Sequence, residues 1–204
     1  MEPKVRILKG AEELFFRYGI KSVTMDDIAR HLGISKKTIY QSFGDKDEVV
    51  NTLMEYKLKE DEVEYCQISD KSNNIIEEIF LLMKHMSSVF GKINPNVFYD
   101  LQKYHSSSWE RFKTFKEDCI QRMVEEAIMK GIVDGIVRQD INPKIMATLR
   151  MEEVEMGFNP RLFPPDKFKI LEVQLALLDH FLHGICTLKG HKLVNKYKQV
   201  IEEE

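Results

Sequence analysis

Residues 24–43, TMDDIARHLGISKKTIYQSF, constrain the fold of this chain more than any other stretch. Two short apolar-periodic segments flank Gly33, Ile34 and Ser35. Thr24 and Asp27 have the spacing of a helix start in which the hydroxyl caps the first turn and the carboxylate reaches back. Ile28, Ala29 and Leu32 then supply one buried face, and Gly33 closes the segment as a glycine past a helix end does. Ser35 caps the next helix, whose inner face is Ile39 and Phe43, four residues apart. Two helices joined by so short a turn must cross closely. The crossing needs a small residue in the first helix, which is Ala29, and tolerance of positive φ at the turn, which is Gly33. It also needs apolar plugs, and Ile34, Ile39 and Phe43 provide them. Spacing, small residue, glycine and plugs agree on a helix-turn-helix.

The flanks continue the helical pattern. Ile7, Ala11, Leu14, Phe15 and Tyr18 form one amphipathic stripe, stopped by Gly19. Gly44 ends the second short helix, and Asp45 with Glu48 starts a longer one through Val49, Val50, Leu53, Met54 and Leu58. Further helices are expected near 72–91, 95–105, 107–136, 142–157, 166–188 and 190–202, with breaks at 70–73, 91–95, 140–143 and 160–165. The expected fold class is all-α: an N-terminal three-helix DNA-binding domain with a helix-turn-helix over residues 1–46, followed by a helical ligand-binding and dimerisation domain over 47–204.

Charge supports this division. The whole chain carries a formal charge of −3, yet residues 1–48 hold nine Lys/Arg against eight Asp/Glu. Between residues 28 and 46, Arg30, Lys36, Lys37 and Lys46 face Asp45 alone. A local basic patch on an acidic body places phosphate attraction where the reading element lies. The second helix of such a motif enters the major groove, leading with its N-terminal residues. Lys36, Lys37 and Gln41 are the expected readers of base edges, with Ser35 and Thr38 beside them. Thr24, Tyr40 and Lys46 are the expected phosphate clamps.

Other functional classes lack their signatures. The longest apolar run, residues 79–83, is far short of a membrane span of roughly 20 residues. Cys66, Cys119 and Cys186 are odd in number and unpaired in spacing, which fits a reducing cytoplasm. An all-α di-iron enzyme needs Glu-x-x-His pairs, and none of the six histidines follows a glutamate at that spacing. No phosphate-cradling glycine loop occurs either. His180, His183 and Cys186 lie at i, i+3 and i+6 but diverge around a helix, so no metal or other cofactor is expected. The alternatives are an all-α enzyme or a helical adaptor without DNA binding, and the adaptor predicts that Lys36 and Lys37 are dispensable.

Residues 5–54 resemble the N-terminal domain of the TetR family of regulators. The resemblance is carried by Tyr18-Gly19 at the end of the first helix, TMDDIA at 24–29, GISKKTIY at 33–40 and FGDKDEVV at 43–50. Gly44 departs from the polar residue or proline of many relatives and remains compatible with the turn. The resemblance implies a cytoplasmic, sequence-specific transcriptional regulator and not an enzyme: a repressor that leaves a pseudo-palindromic operator when a small-molecule effector binds. It further implies a homodimer, and DNA contacts at Thr24, Ser35, Lys36, Lys37, Thr38, Tyr40, Gln41 and Lys46.

The remaining 150 or so residues match no relative by motif. The two late helices near 142–157 and 166–188 are, by resemblance, the dimer-forming pair. Leu171, Leu175, Leu178 and Leu182 form a stripe that suits an interface or an internal core face equally. Phe80, Met83, Met86, Phe98, Tyr104, Trp109, Phe112 and Met123 are the expected lining of a pocket for an apolar or aromatic compound, because methionine and aromatic rings fill irregular space.

Overall fold

The structure, a computed structural model, describes residues 2–90, 93–94, 96–159, 161–164 and 166–203. The expected breaks at Gly91, Lys92, Pro95, Pro160 and Pro165 lie outside the described residues. Several helices begin where the sequence supplies a cap or a starting proline. α1 (Pro3–Tyr18) has proline in its first turn, where the missing N–H is harmless. α2 (Met25–Leu32) opens on the full Thr24–Asp27 capping box. α3 (Lys36–Tyr40) is capped by Ser35, whose oxygen accepts the Thr38 amide. At the start of α4 (Lys46–Lys71), Asp45 accepts the Glu48 amide while Glu48 accepts the Gly44 amide at 2.6 Å.

The later helices follow the expected order. They are α5 (Ile75–Phe90), α6 (Asn96–Tyr104) and α7 (Ser106–Phe115), then a π-helical turn at Lys116–Gln121 running into α8 (Arg122–Val133). α9 (Pro143–Gly157), α10 (Ile170–Ile185) and α11 (Leu188–Glu203) complete the chain. Asn74 and Asn142 cap α5 and α9. Among the described residues, β pairing is confined to an isolated bridge between Val137 and Cys186.

The chain forms two compact units, residues 1–63 with 92–115, and residues 64–91 with 116–204. This division is drawn differently from the functional one expected at residues 46/47, because α4 continues unbroken through that position. α6 and α7 therefore belong to the same unit as the helix-turn-helix. That unit's core joins Ile7, Ala11 and Phe15 of α1 with Ile28, Ile39, Phe43 and Val49, and it includes Val97 and Leu101 from α6. At Gly10, a Cβ would meet the Leu32 side chain at 2.6 Å, so α1 and α2 approach through a missing side chain.

The other unit has its own core, with Ile76, Phe80 and Met83 of α5, Ile128 of α8, Ala147 of α9 and Leu178, Phe181 and Leu182 of α10. Leu178 and Leu182, expected at a dimer surface, are 3% and 0% exposed within the chain itself. They have no area left to bury against a second copy: their stripe meets α10's internal neighbours, and Leu175 packs against the same core. Leu171 alone of the four is exposed, at 43%.

The His180–His183–Cys186 set does not converge. The His183 ring engages the carbonyl oxygen and carboxylate of Asp179, and its own carbonyl meets His191 Nε2. Cys186 is buried, and burial pushes its thiol up to about 11, well away from the thiolate a metal requires. Cys66 is exposed. Titration of the folded protein with a chromogenic disulfide at pH 8, followed by peptide mapping, is expected to label Cys66 readily and Cys186 only after unfolding. Labelling of Cys186 at the rate of Cys66 would contradict the burial.

Candidate nucleic-acid interface

The helix-turn-helix is built from the inside outward. Ile39 and Phe43 are 0% and 2% exposed, so α3 has one rotational setting on the core. Gly33 takes φ +65°, and its amide donates to the Arg30 carbonyl while Ile34 donates to Ala29. This left-handed residue lets the chain reverse between two helices within three residues. The outer face of α3 then presents Lys36, Lys37, Tyr40 and Gln41 to solvent, with Thr38 half-buried beside them.

Several of these groups already have partners. The Lys36 ammonium contacts the Asp26 carboxylate of α2 at 2.8 Å and lies 5.9 Å from the Tyr40 ring centroid. The hydrogen bond and charge of Asp26 hold Lys36 above lysine's ordinary value. The Thr24 hydroxyl donates to Asp27 at 2.6 Å and accepts the Asp27 amide, an arrangement that lowers the Asp27 carboxyl below its usual range. Ser35 and Thr38 share a hydroxyl contact of 2.8 Å. Thr24 and Ser35 must turn from capping toward a phosphate if they donate to one.

Lys46 is half-buried, and burial pulls its ammonium below the ordinary value against the attraction of Asp100 and Asp47. Its Nζ reaches the Lys21 carbonyl at 3.5 Å. This cation is therefore held at the start of α4 and not free to range through solvent.

α6 and α7 supply a support that the sequence pattern did not disclose. The Asp100 carboxylate, 5% exposed, accepts the Lys21 amide at 2.8 Å. His105 Nδ1 lies 2.6 Å from Asp47 of α4, and the Ser108 hydroxyl donates to Asn51 at 2.6 Å. The Asn94 amide donates to the Phe16 carbonyl at the end of α1. The available signal was a carboxylate on the apolar face formed by Val97 and Leu101, where an unpaired charge would be costly.

The expected pocket residues separate between the two units. Phe80, Met83, Met86 and Met123 lie in the unit of α5 and α8–α11. Phe98, Trp109 and Phe112 form an aromatic cluster in the DNA-binding unit, with ring centroids 5.9 and 5.5 Å apart along Phe98–Phe112–Trp109. Trp109 packs on that unit's core. Tyr104 is 39% exposed and meets Lys21 and Lys103, so it faces cations at a surface instead of lining a pocket. The acidic residues of α9 are partly committed: Glu153 pairs with buried Arg150 at 3.4 Å, and Glu155 pairs with Lys116.

A capped, glycine-reversed helix pair with a polar, cationic outer face defines a helix-turn-helix DNA-binding regulator. Residues 7–53 match the family described as bacterial regulatory proteins, tetR family. The chain is 25% identical over 185 residues to the uncharacterized HTH-type transcriptional regulator YvaF of Bacillus subtilis, covering 88% of this chain and 94% of the relative. It is 26% identical over 139 residues to the HTH-type transcriptional repressor KstR2 of Mycobacterium tuberculosis, covering 67% and 70% respectively. A TetR-family regulator from Agrobacterium tumefaciens shares the fold with a TM-score of 0.75 at 15% identity, over 91% of this chain and 98% of that one. Residues 7–53 are thus a DNA-binding domain of the TetR family, and the chain is similar to HTH-type transcriptional regulators over most of its length.

The Lys36–Asp26 pair makes a specific prediction. Asp26→Asn is expected to bind duplex DNA more tightly, by about three- to tenfold at low salt, because it frees Lys36 and removes an anion facing phosphate. Fluorescence anisotropy across a salt series checks this, and weaker binding than wild type would count against Lys36 approaching DNA.

Proposed function

We propose that this regulator is a homodimeric, cytoplasmic repressor that occupies a pseudo-palindromic operator and is released when a small molecule binds its helical body. In this reading residues 1–46 read DNA, and residues 47–204 sense the effector and pair the protomers. The observation that carries it is the outer face of α3, where Lys36, Lys37, Tyr40 and Gln41 are exposed over the rigid inner pair Ile39 and Phe43. Thr24, Ser35, Thr38 and Lys46 complete the proposed DNA contacts, with Thr24 and Lys46 at the starts of the flanking helices. A dimer surface on α9 and α10 is supported by Ile145, Leu149 and Met156, exposed on α9, together with Leu171 on α10. Apolar side chains of this size left exposed along neighbouring helices favour a partner. Phe80, Met83, Met86 and Met123 are the proposed lining of the effector pocket in that unit.

Selection of bound duplexes from a random pool tests the reading directly. Two-fold symmetric half-sites are expected, since a dimer imposes its own symmetry on the DNA. Tyr40→Ala and Lys46→Ala should weaken binding to every sequence, and Lys46→Ala, which removes a charge, should also flatten its salt dependence by a slope of about 1. Lys36→Ala and Gln41→Ala should instead shift the selected base preference. Unchanged binding in all four variants would remove α3 as the recognition helix.

A further inference from the structure

We propose that the C-terminal turn of α6 gives the DNA-binding unit a second, sequence-independent phosphate contact, in which Lys21, Lys103, Tyr99 and Tyr104 hold the duplex backbone beside the segment read by α3. The inference rests on DNA binding through the helix-turn-helix. It places part of the interface about 50 residues beyond the family match, which ends at residue 53.

The contact runs outward from Lys46 without a gap. Lys46 Nζ meets the Lys21 carbonyl at 3.5 Å, and the Lys21 amide is held by Asp100 at 2.8 Å. The Lys21 ammonium lies 4.9 Å from the Tyr104 ring centroid. Lys103 Nζ donates to the Tyr99 hydroxyl at 2.9 Å and lies 5.2 and 5.4 Å from the Tyr99 and Tyr104 centroids. Lys21 and Lys103 are exposed, as are Tyr99 at 51% and Tyr104 at 39%. Three cations and two phenols thus form one ribbon, beginning at a helix start already assigned to phosphate. The carboxylate within the ribbon, Asp100, is buried and bonded to backbone, so it presents little charge outward.

The chemistry suits a phosphate backbone. Lys103 donates to the Tyr99 oxygen, which leaves that phenolic hydrogen to donate to a phosphate oxygen, and the exposed Tyr104 hydroxyl can do the same. Stacking on the rings restrains both long side chains before DNA arrives, so less freedom is lost on binding. α6 is tied to the segment before α2 through Asp100–Lys21, and His105–Asp47 and Ser108–Asn51, at and just beyond its end, join the chain there to α4, so the ribbon travels with the helix-turn-helix. Lysines that only solubilise a surface would have no such register with the helix starts that grip DNA.

The test uses the full-length protein and long duplexes of random sequence as well as a selected operator, with affinity measured between 50 and 200 mM salt. The Lys21→Gln, Lys103→Gln double variant, with helicity and melting as in wild type, is expected to lose about one unit of salt slope per lysine and roughly tenfold in affinity. Its ranking of operator sequences should not change. Tyr104→Phe should weaken both duplexes by a smaller factor. If wild type binds duplex and the folded double variant matches it in slope and affinity, the ribbon is not a DNA contact, while the helix-turn-helix reading stands. If wild type binds no duplex at any salt, both fail together.

Discussion

Phe43→Ala is expected to destabilise the DNA-binding unit by about 3–5 kcal/mol and to abolish operator binding. Phe43 is 2% exposed and sits where α3 ends, in a core shared with Ile7, Ile28, Ile39 and Val49. Removing its ring leaves a void that short, capped helices cannot close without moving. The Lys4 ammonium, 5.6 Å from the ring centroid, loses its platform as well. A loss of this size is comparable to the whole stability of many small domains. Trp109, the chain's one tryptophan, packs on the same core and reports the transition by fluorescence during urea unfolding. Phe43→Leu, which keeps most of the volume, should retain both folding and DNA binding. A Phe43→Ala variant unfolding at the wild-type urea concentration would show that α3 is not seated by this ring.

Asp100→Ala is expected to cost about 1–3 kcal/mol, the penalty of leaving a buried amide without its acceptor. The amide belongs to Lys21, in the segment between α1 and α2 that sets where Thr24 begins the next helix. Gly19 lies beside it, with φ +82°, and a Cβ there would stand 3.2 Å from the Asp100 carboxylate. Loosening this segment should accelerate hydrogen exchange at the Lys21 amide and lower DNA affinity by roughly tenfold, through misplacement of Thr24 and Lys46. Asp100→Asn keeps an acceptor at the same place and should recover most of the stability. Slow exchange at Lys21 in the alanine variant would mean that Asp100 does not hold the segment.

The two predictions differ in how far the residues themselves disclosed them. Phe43 is legible locally: it lies four residues from Ile39, inside a motif whose caps and glycine are contiguous. Asp100 is 79 residues from the amide it accepts, and no spacing rule connects them. The same contrast separates Lys37 and Gln41, whose outward direction follows from α3's periodicity, from Lys36, whose pairing with Asp26 arises only when α2 and α3 cross. The leucine stripe of α10 shows the limit of periodicity. It correctly marks a buried face, but a helix has no sign of whether its apolar side meets its own chain or another. Leu178 and Leu182 meet their own chain because α10 has α5, α8 and α9 residues for core neighbours. The aromatic and methionine residues expected around one pocket were grouped by residue type, and folding distributed them between two cores and a surface.

The sequence by itself determined the helical pattern, the caps at Thr24, Ser35 and Asp45 and the helix-turn-helix of residues 24–43, because each depends on interactions no more than about five residues long. Tertiary structure alone decided that α6 and α7 join the DNA-binding unit, that Asp100 braces Lys21, and that α10's leucine stripe turns inward. Those outcomes depend on which surfaces meet when distant segments pack, and burial acts on area whatever the separation along the chain.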